Sequence, residues 1–90
     1  MLNTLKVRVI IEMKKVIFYT KENCLLCDEA LELVQMTQTI QPFELEIKDI
    51  YEDDKLLEKY QLMIPVIKIN ETELIGDSIE INNILLKLKE

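Results

Sequence analysis

Lys15-Val16-Ile17-Phe18-Tyr19-Thr20-Lys21-Glu22-Asn23-Cys24-Leu25-Leu26-Cys27-Asp28-Glu29-Ala30 is the stretch that decides the fold. Its first six residues are apolar, β-branched or aromatic apart from Lys15, a run that reads as a short strand buried on both faces. Lys21-Glu22-Asn23 breaks the strand. From Leu26 the apolar side chains recur at Leu26, Ala30, Leu33, Val34 and Thr37, with acidic residues between them, which is helical spacing, and Asn23 is placed to cap that helix. A buried strand therefore feeds directly into a helix, and both cysteines of the chain fall at the junction.

Working outward, Pro42 closes the helical stretch, and Phe43-Glu44-Leu45-Glu46-Ile47-Lys48 alternates as a half-buried strand does. Glu52, Asp53 and Asp54 then put acidic groups at the positive end of a second, shorter helix with Leu56, Leu57 and Tyr60 as its apolar stripe and Lys59 near its close. Val66 to Ile69 and Thr72 to Ile75 are strand-like runs joined by Asn70-Glu71, which suggests a hairpin whose second turn position lacks the favoured glycine. Asp77-Ser78-Ile79-Glu80 offers a capping box, and Ile81, Ile84, Leu85 and Leu88 carry a last helix. The order is strand, helix, strand, helix, strand, strand, helix. A strand-helix-strand unit implies a parallel pair with a right-handed crossover, and the hairpin adds antiparallel strands, so the expected α/β fold is a mixed four-stranded sheet flanked by three helices.

Ninety residues, 49% of them apolar, suit one domain with one core. The fold reads as complete over residues 13–90, which leaves 1–12 as an N-terminal extension. There Leu5, Val7 and Val9 alternate with Lys6 and Arg8, consistent either with an extra edge strand or with a disordered extension.

A formal charge of −6 with scattered Lys and Arg argues against a phosphate-tracking surface, so no nucleic-acid partner is expected. No apolar run approaches the roughly 18 residues of a membrane span, and Asn3, Lys6 and Arg8 interrupt the stretch where a secretory signal would need continuity. No membrane partner is expected, and the cytoplasm is the default compartment. Two cysteines in a reducing compartment are not expected to form a permanent staple, and their spacing points to redox or metal chemistry.

The free amides and dipole at a helix start stabilise an anion, which favours the thiolate of Cys24. Lys21 adds a positive charge nearby, whereas Glu22, Asp28 and Glu29 act the other way. Cys27 lies one turn along the same face, so it can reach Cys24 and release a mixed disulfide formed there. The alternative is that both cysteines are small core hydrophobes. Two other residues stand out: Pro65 opens a strand, where its missing amide is tolerated, and Gly76, the only glycine, stands where a turn needs positive φ.

Phe18 to Cys27, Met63-Ile64-Pro65-Val66 and Ile75-Gly76-Asp77-Ser78 together resemble a glutaredoxin-like member of the thioredoxin superfamily, over essentially all of residues 13–90. That resemblance implies a thioredoxin-like, glutaredoxin-type sheet and a cis Ile64-Pro65 bond lying against the cysteine pair. It implies that the backbone of Ile64 pairs with a bound thiol peptide, and that Lys21, Gly76 and Asp77 contact the carboxylates and amine of glutathione. Leu25-Leu26 stands where glutaredoxins typically carry Pro-Tyr and thioredoxins Gly-Pro, and a single glycine stands in place of the glutaredoxin Gly-Gly signature.

The expected function is that of a monomeric thiol-disulfide oxidoreductase, with Cys24 as attacking thiolate and Cys27 as resolving partner. Its substrates would be disulfides of proteins or of low-molecular-weight thiols. No bound cofactor or metal is expected, and glutathione, another small thiol or a reductase would supply electrons. Two readings compete. A zinc or iron-sulfur module would need a dimer pooling both cysteine pairs, because the chain has two cysteines and no histidine. A non-catalytic interaction domain could share the fold.

Overall fold

Strand β1 (Lys15–Thr20) is the axis of the computed structural model, which describes residues 13–90. Val16, Phe18 and Tyr19 are all buried, so side chains on both faces of β1 are enclosed, as its unbroken apolar run predicts. On one side β1 pairs in parallel with β2 (Glu44–Asp49), Val16 opposite Leu45 and Thr20 opposite Asp49. On the other it pairs antiparallel with β3 (Val66–Ile69), which turns through Asn70-Glu71 into β4 (Thr72–Ile75). The sheet order is β2-β1-β3-β4. With helices α1 (Leu25–Ile40), α2 (Asp54–Tyr60) and α3 (Ile81–Leu88), this is the expected four-stranded mixed α/β fold with three helices.

The period of two along β1 sorts the core into two layers. Val16 and Phe18 point with Ile67 and Ile69 into a cluster built with Cys27, Ala30 and Val34 of α1 and Ile84 and Leu88 of α3. Tyr19 points the other way and packs with Val66, Ile50 and Tyr60, which brings α2 onto the opposite face. The Tyr19 and Tyr60 rings stack with centroids 4.3 Å apart. The Tyr60 hydroxyl donates to the Glu73 carboxylate on β4, and Lys59 lies 3.6 Å from the same carboxylate and over the Tyr60 ring.

Four details differ from the sequence reading. Helix α1 is capped by Cys24, not Asn23, which instead takes a left-handed conformation with φ of 57°. Its buried stripe is Cys27, Ala30, Val34 and Thr37, so Leu26, expected on that stripe, is 66% exposed. Cys27, in helical phase with Ala30, Val34 and Thr37, takes the inward place instead. Thr37 is buried because its hydroxyl donates to the Leu33 carbonyl at 2.8 Å. The box expected from Asp77 and Glu80 does not form: Gly76–Ser78 makes a short 3₁₀ turn, the Ser78 hydroxyl exchanges hydrogen bonds with the Ile75 backbone, and α3 starts after Glu80 without a side-chain cap. The second strand runs one residue later than its alternation suggests, leaving Phe43 buried just ahead of it.

The other local signals hold. Asp53 caps α2 by accepting from the Lys55 amide at 2.8 Å. Asn70 supplies the left-handed residue of the hairpin, a conformation asparagine tolerates, so glycine is not required at Glu71. The expectation of an edge strand or disordered extension at 1–12 lies outside the described residues. No helix among the described residues is long and apolar enough to cross a membrane.

Gly76 sits at φ of +53°, and a Cβ there would meet nothing within 4 Å. Gly76→Ala is therefore expected to destabilise by about 1–2 kcal/mol through backbone conformation alone, read as a lower denaturation midpoint with an unchanged m value. Burial, and then the hydrogen bond to Glu73, hold the Tyr60 hydroxyl well above its ordinary value near 10. A raised folded-state value means that the unfolded chain ionises first, so stability falls as the pH rises above about 10. Urea titrations at about pH 8 and about pH 11 are expected to show that loss in the parent chain and a smaller loss in Tyr60→Phe.

Candidate active site

The turn between β1 and α1 determines which cysteine meets solvent. Asn23 reverses the chain in a left-handed conformation, and Cys24 follows in an extended one, φ −126° and ψ 101°, with its side chain turned onto the helix start. There its sulfur accepts the Cys27 amide at 3.1 Å, and its carbonyl accepts the Asp28 amide at 3.0 Å. One of the unpaired amides of the first helical turn is thus spent on Sγ, an arrangement that favours negative charge on that atom. Cys24 is half-buried at the surface, whereas Cys27 is 1% exposed and belongs to the main core cluster. The two are joined in a disulfide with Cα atoms 5.2 Å apart. Of the two cysteines expected as core hydrophobes on the alternative reading, Cys27 lies in the core cluster and Cys24 packs against it from a half-buried position.

Ile64-Pro65 is a cis bond, as the resemblance implies, with Pro65 buried and Ile64 half-buried just ahead of β3. Pro65 lines a cleft of about 330 Å³ together with Leu26, Gly76 and Asp77. That places the proline beside the inter-cysteine residues although 38 positions separate it from Cys27. Lys21 is not part of this cleft. It lines a second depression, of about 470 Å³, with Glu22, Asn23, Asp49 and Tyr51. The candidate binding residues are therefore divided, Gly76, Asp77 and Pro65 on the side of Leu26 and Lys21 on the side of Asn23, with the cysteine motif between the two.

Sequence reasoning missed several lining residues. Asp49 and Tyr51 reach the Lys21 depression because parallel pairing brings the ends of β1 and β2 together, Thr20 opposite Asp49. The strand-helix-strand order carried that signal, since loops after parallel strands share one end of the sheet. Glu29 and Glu80 border the other cleft and resemble ordinary solvated charges in the sequence. Leu25 and Leu26 are 71% and 66% exposed. Among the described residues no three His, Cys, Asp or Glu side chains converge to hold a metal.

The model of the glutaredoxin-like domain (DUF836) matches residues 15–89. The chain belongs to this glutaredoxin-like family. Among solved structures it is similar to protein Ne2328 from Nitrosomonas europaea, determined by solution NMR, at 29% identity and a TM-score of 0.69 over 97% of this chain and 99% of that one. A malarial protein shares the fold at 19% identity and a TM-score of 0.63, covering 87% of this chain and 96% of that one. So does thioredoxin 1 from the thermophilic eubacterium Thermosipho africanus, at 18% identity and a TM-score of 0.60, covering 83% of this chain and 90% of that one. No curated protein matches the chain significantly. A glutaredoxin-like domain with a thioredoxin-like fold and a Cys24–Cys27 disulfide is thus the coarse identity of the molecule.

The unequal burial of the two sulfurs has a direct consequence. After reduction, iodoacetamide is expected to modify Cys24 at least about tenfold faster than Cys27, since only the accessible, amide-stabilised thiolate reacts freely. Peptide mapping by mass spectrometry reads the ratio, and equal labelling would contradict the geometry.

Proposed function

We propose that the chain is a thiol-disulfide oxidoreductase in which Cys24 attacks and Cys27 resolves. The observation that carries this reading is the asymmetry of the pair: a half-buried cysteine whose sulfur accepts a helix-start amide, next to a cysteine sealed in the core. In the reduced protein the Cys24 thiolate attacks one sulfur of a substrate disulfide, forms a mixed disulfide and expels the other sulfur as a thiolate. Cys27, deprotonated, then attacks Cys24 Sγ, closes the intramolecular disulfide and expels the second substrate thiolate. Two electrons pass to the substrate, whose two sulfurs each gain a proton. The closed form is the one described above.

The substrates on this reading are disulfides of proteins or low-molecular-weight thiols, and a thiol donor such as glutathione, or a reductase, reopens the Cys24–Cys27 bond. The cis Ile64-Pro65 segment supports strand-like docking of an extended substrate, because the backbone ahead of β3 runs past the cleft that Leu26 shares with Pro65. Gly76 and Asp77 in the cleft beside Leu26, and Lys21 in the separate depression beside Asn23, are the contacts proposed for a small thiol. We assign the activity to a monomer in a reducing compartment, the cytoplasm by default, where a recyclable pair is of more use than a permanent one.

Turnover of a small disulfide by the parent chain and by two single variants tests the reading. Cys24→Ser is expected to abolish reduction, a loss of at least about a thousandfold. Cys27→Ser is expected to accumulate a mixed disulfide on Cys24 that intact-mass measurement detects. Equal, partial activity in both variants, or a parent chain without activity, would favour a non-catalytic interaction domain.

A further inference from the structure

The cleft beside the cysteine motif has an apolar floor and an acidic border. Leu26, Pro65 and Ile79 supply apolar surface, and Glu29, Asp77 and Glu80 supply three exposed carboxylates, one from α1 and two from the segment leading into α3. Among the described residues no lysine or arginine lines it, and none of the three carboxylates lies within ion-pair distance of a described cation. Leu25 and Leu26, the residues between the cysteines, continue the apolar surface outward at 71% and 66% exposure. A formal charge of −6 on the whole chain adds to the local field.

Resting on the redox reading above, we infer that the physiological substrate is a disulfide in a polypeptide segment with apolar residues beside its cysteine and Lys or Arg flanking them. Such a segment covers Leu26 and Ile79 with apolar side chains and sets cations against Glu29, Asp77 and Glu80. Glutathione disulfide, whose carboxylates outnumber its amines, meets the same border with charge of the wrong sign. Like-charge juxtaposition selects against partners, and complementary charge speeds encounter. The docked disulfide accepts two electrons from the Cys24 and Cys27 thiols as set out above, and an external dithiol reopens the protein disulfide between turnovers.

The test follows single-turnover reduction of three disulfide peptides by the pre-reduced full chain. The peptides share one apolar core and differ only in flanking residues: Lys, Gln or Glu. At low ionic strength the Lys peptide is expected to react at least about tenfold faster than the Glu peptide, with the Gln peptide between them, and glutathione disulfide is expected to be slower than the Lys peptide. High salt is expected to bring the three rates together, and the double variant Glu29→Gln/Glu80→Gln to narrow their spread. Both positions are exposed, so the variant is expected to fold, and its rate with the Gln peptide provides the reference. Equal rates, a Glu preference, or a Lys preference that survives both high salt and the double variant would overturn the inference and leave the redox reading standing. No reaction with any of the disulfides overturns both.

Discussion

The Cys27 amide meets the Cys24 sulfur at 3.1 Å, and the orientation of the residues beside the two sulfurs depends on that contact. It begins α1 at Leu25 and so sets which residues face the sheet. With Cys24 as cap, the inward series is Cys27, Ala30, Val34 and Thr37, all buried, and the outward residues next to the sulfurs are Leu25 and Leu26. One hydrogen bond to sulfur therefore couples a structural fact, the phase of the helix, to a chemical one, an accessible thiol beside an inaccessible thiol. The same amide stabilises the helix start and a charge on sulfur.

The sheet supplies the rest by topology. Because β1 and β2 are parallel, their carboxyl ends and following turns lie together, and this forms the depression of Lys21, Asp49 and Tyr51. Because β3 is antiparallel to β1, its beginning lies at that same end, which brings the cis Ile64-Pro65 bond to the cysteine motif. Gly76, at the close of β4, arrives at the same edge with φ of +53°. Four short segments separated in sequence are thus assembled at one end of a four-stranded sheet. The two depressions differ in chemistry: the one beside Asn23 carries Lys21, whereas among the described residues the charged groups lining the one beside Leu26 are all carboxylates.

Most of this arrangement was legible in the sequence because its signals are local and periodic. The buried run at Lys15–Thr20, the acidic entry to α2, the two-residue hairpin and the glycine needing positive φ each follow from a few adjacent residues. The misreadings share a cause. Asn23 and Asp77 are good capping residues by type, but the N-cap positions fall at Cys24 and at Glu80. Leu26 belongs to the apolar stripe by residue type and points outward because Cys27 takes the inward place. The division of Lys21 from Gly76 and Asp77 was not legible, since which side of a helix start a loop passes is a property of the assembled sheet.

The central claim is that Cys24 and Cys27 form a reversible redox couple, and its potential measures this most directly. Equilibrating the full chain with thiol-disulfide buffers of graded ratio, followed by alkylation and mass measurement, gives the fraction reduced at each ratio. A redox-active pair gives one two-electron transition with a midpoint between about −270 and −120 mV, the span of known dithiol oxidoreductases. A midpoint below about −300 mV, where permanent structural disulfides lie, or a pair that cannot be cycled reversibly, would contradict the claim.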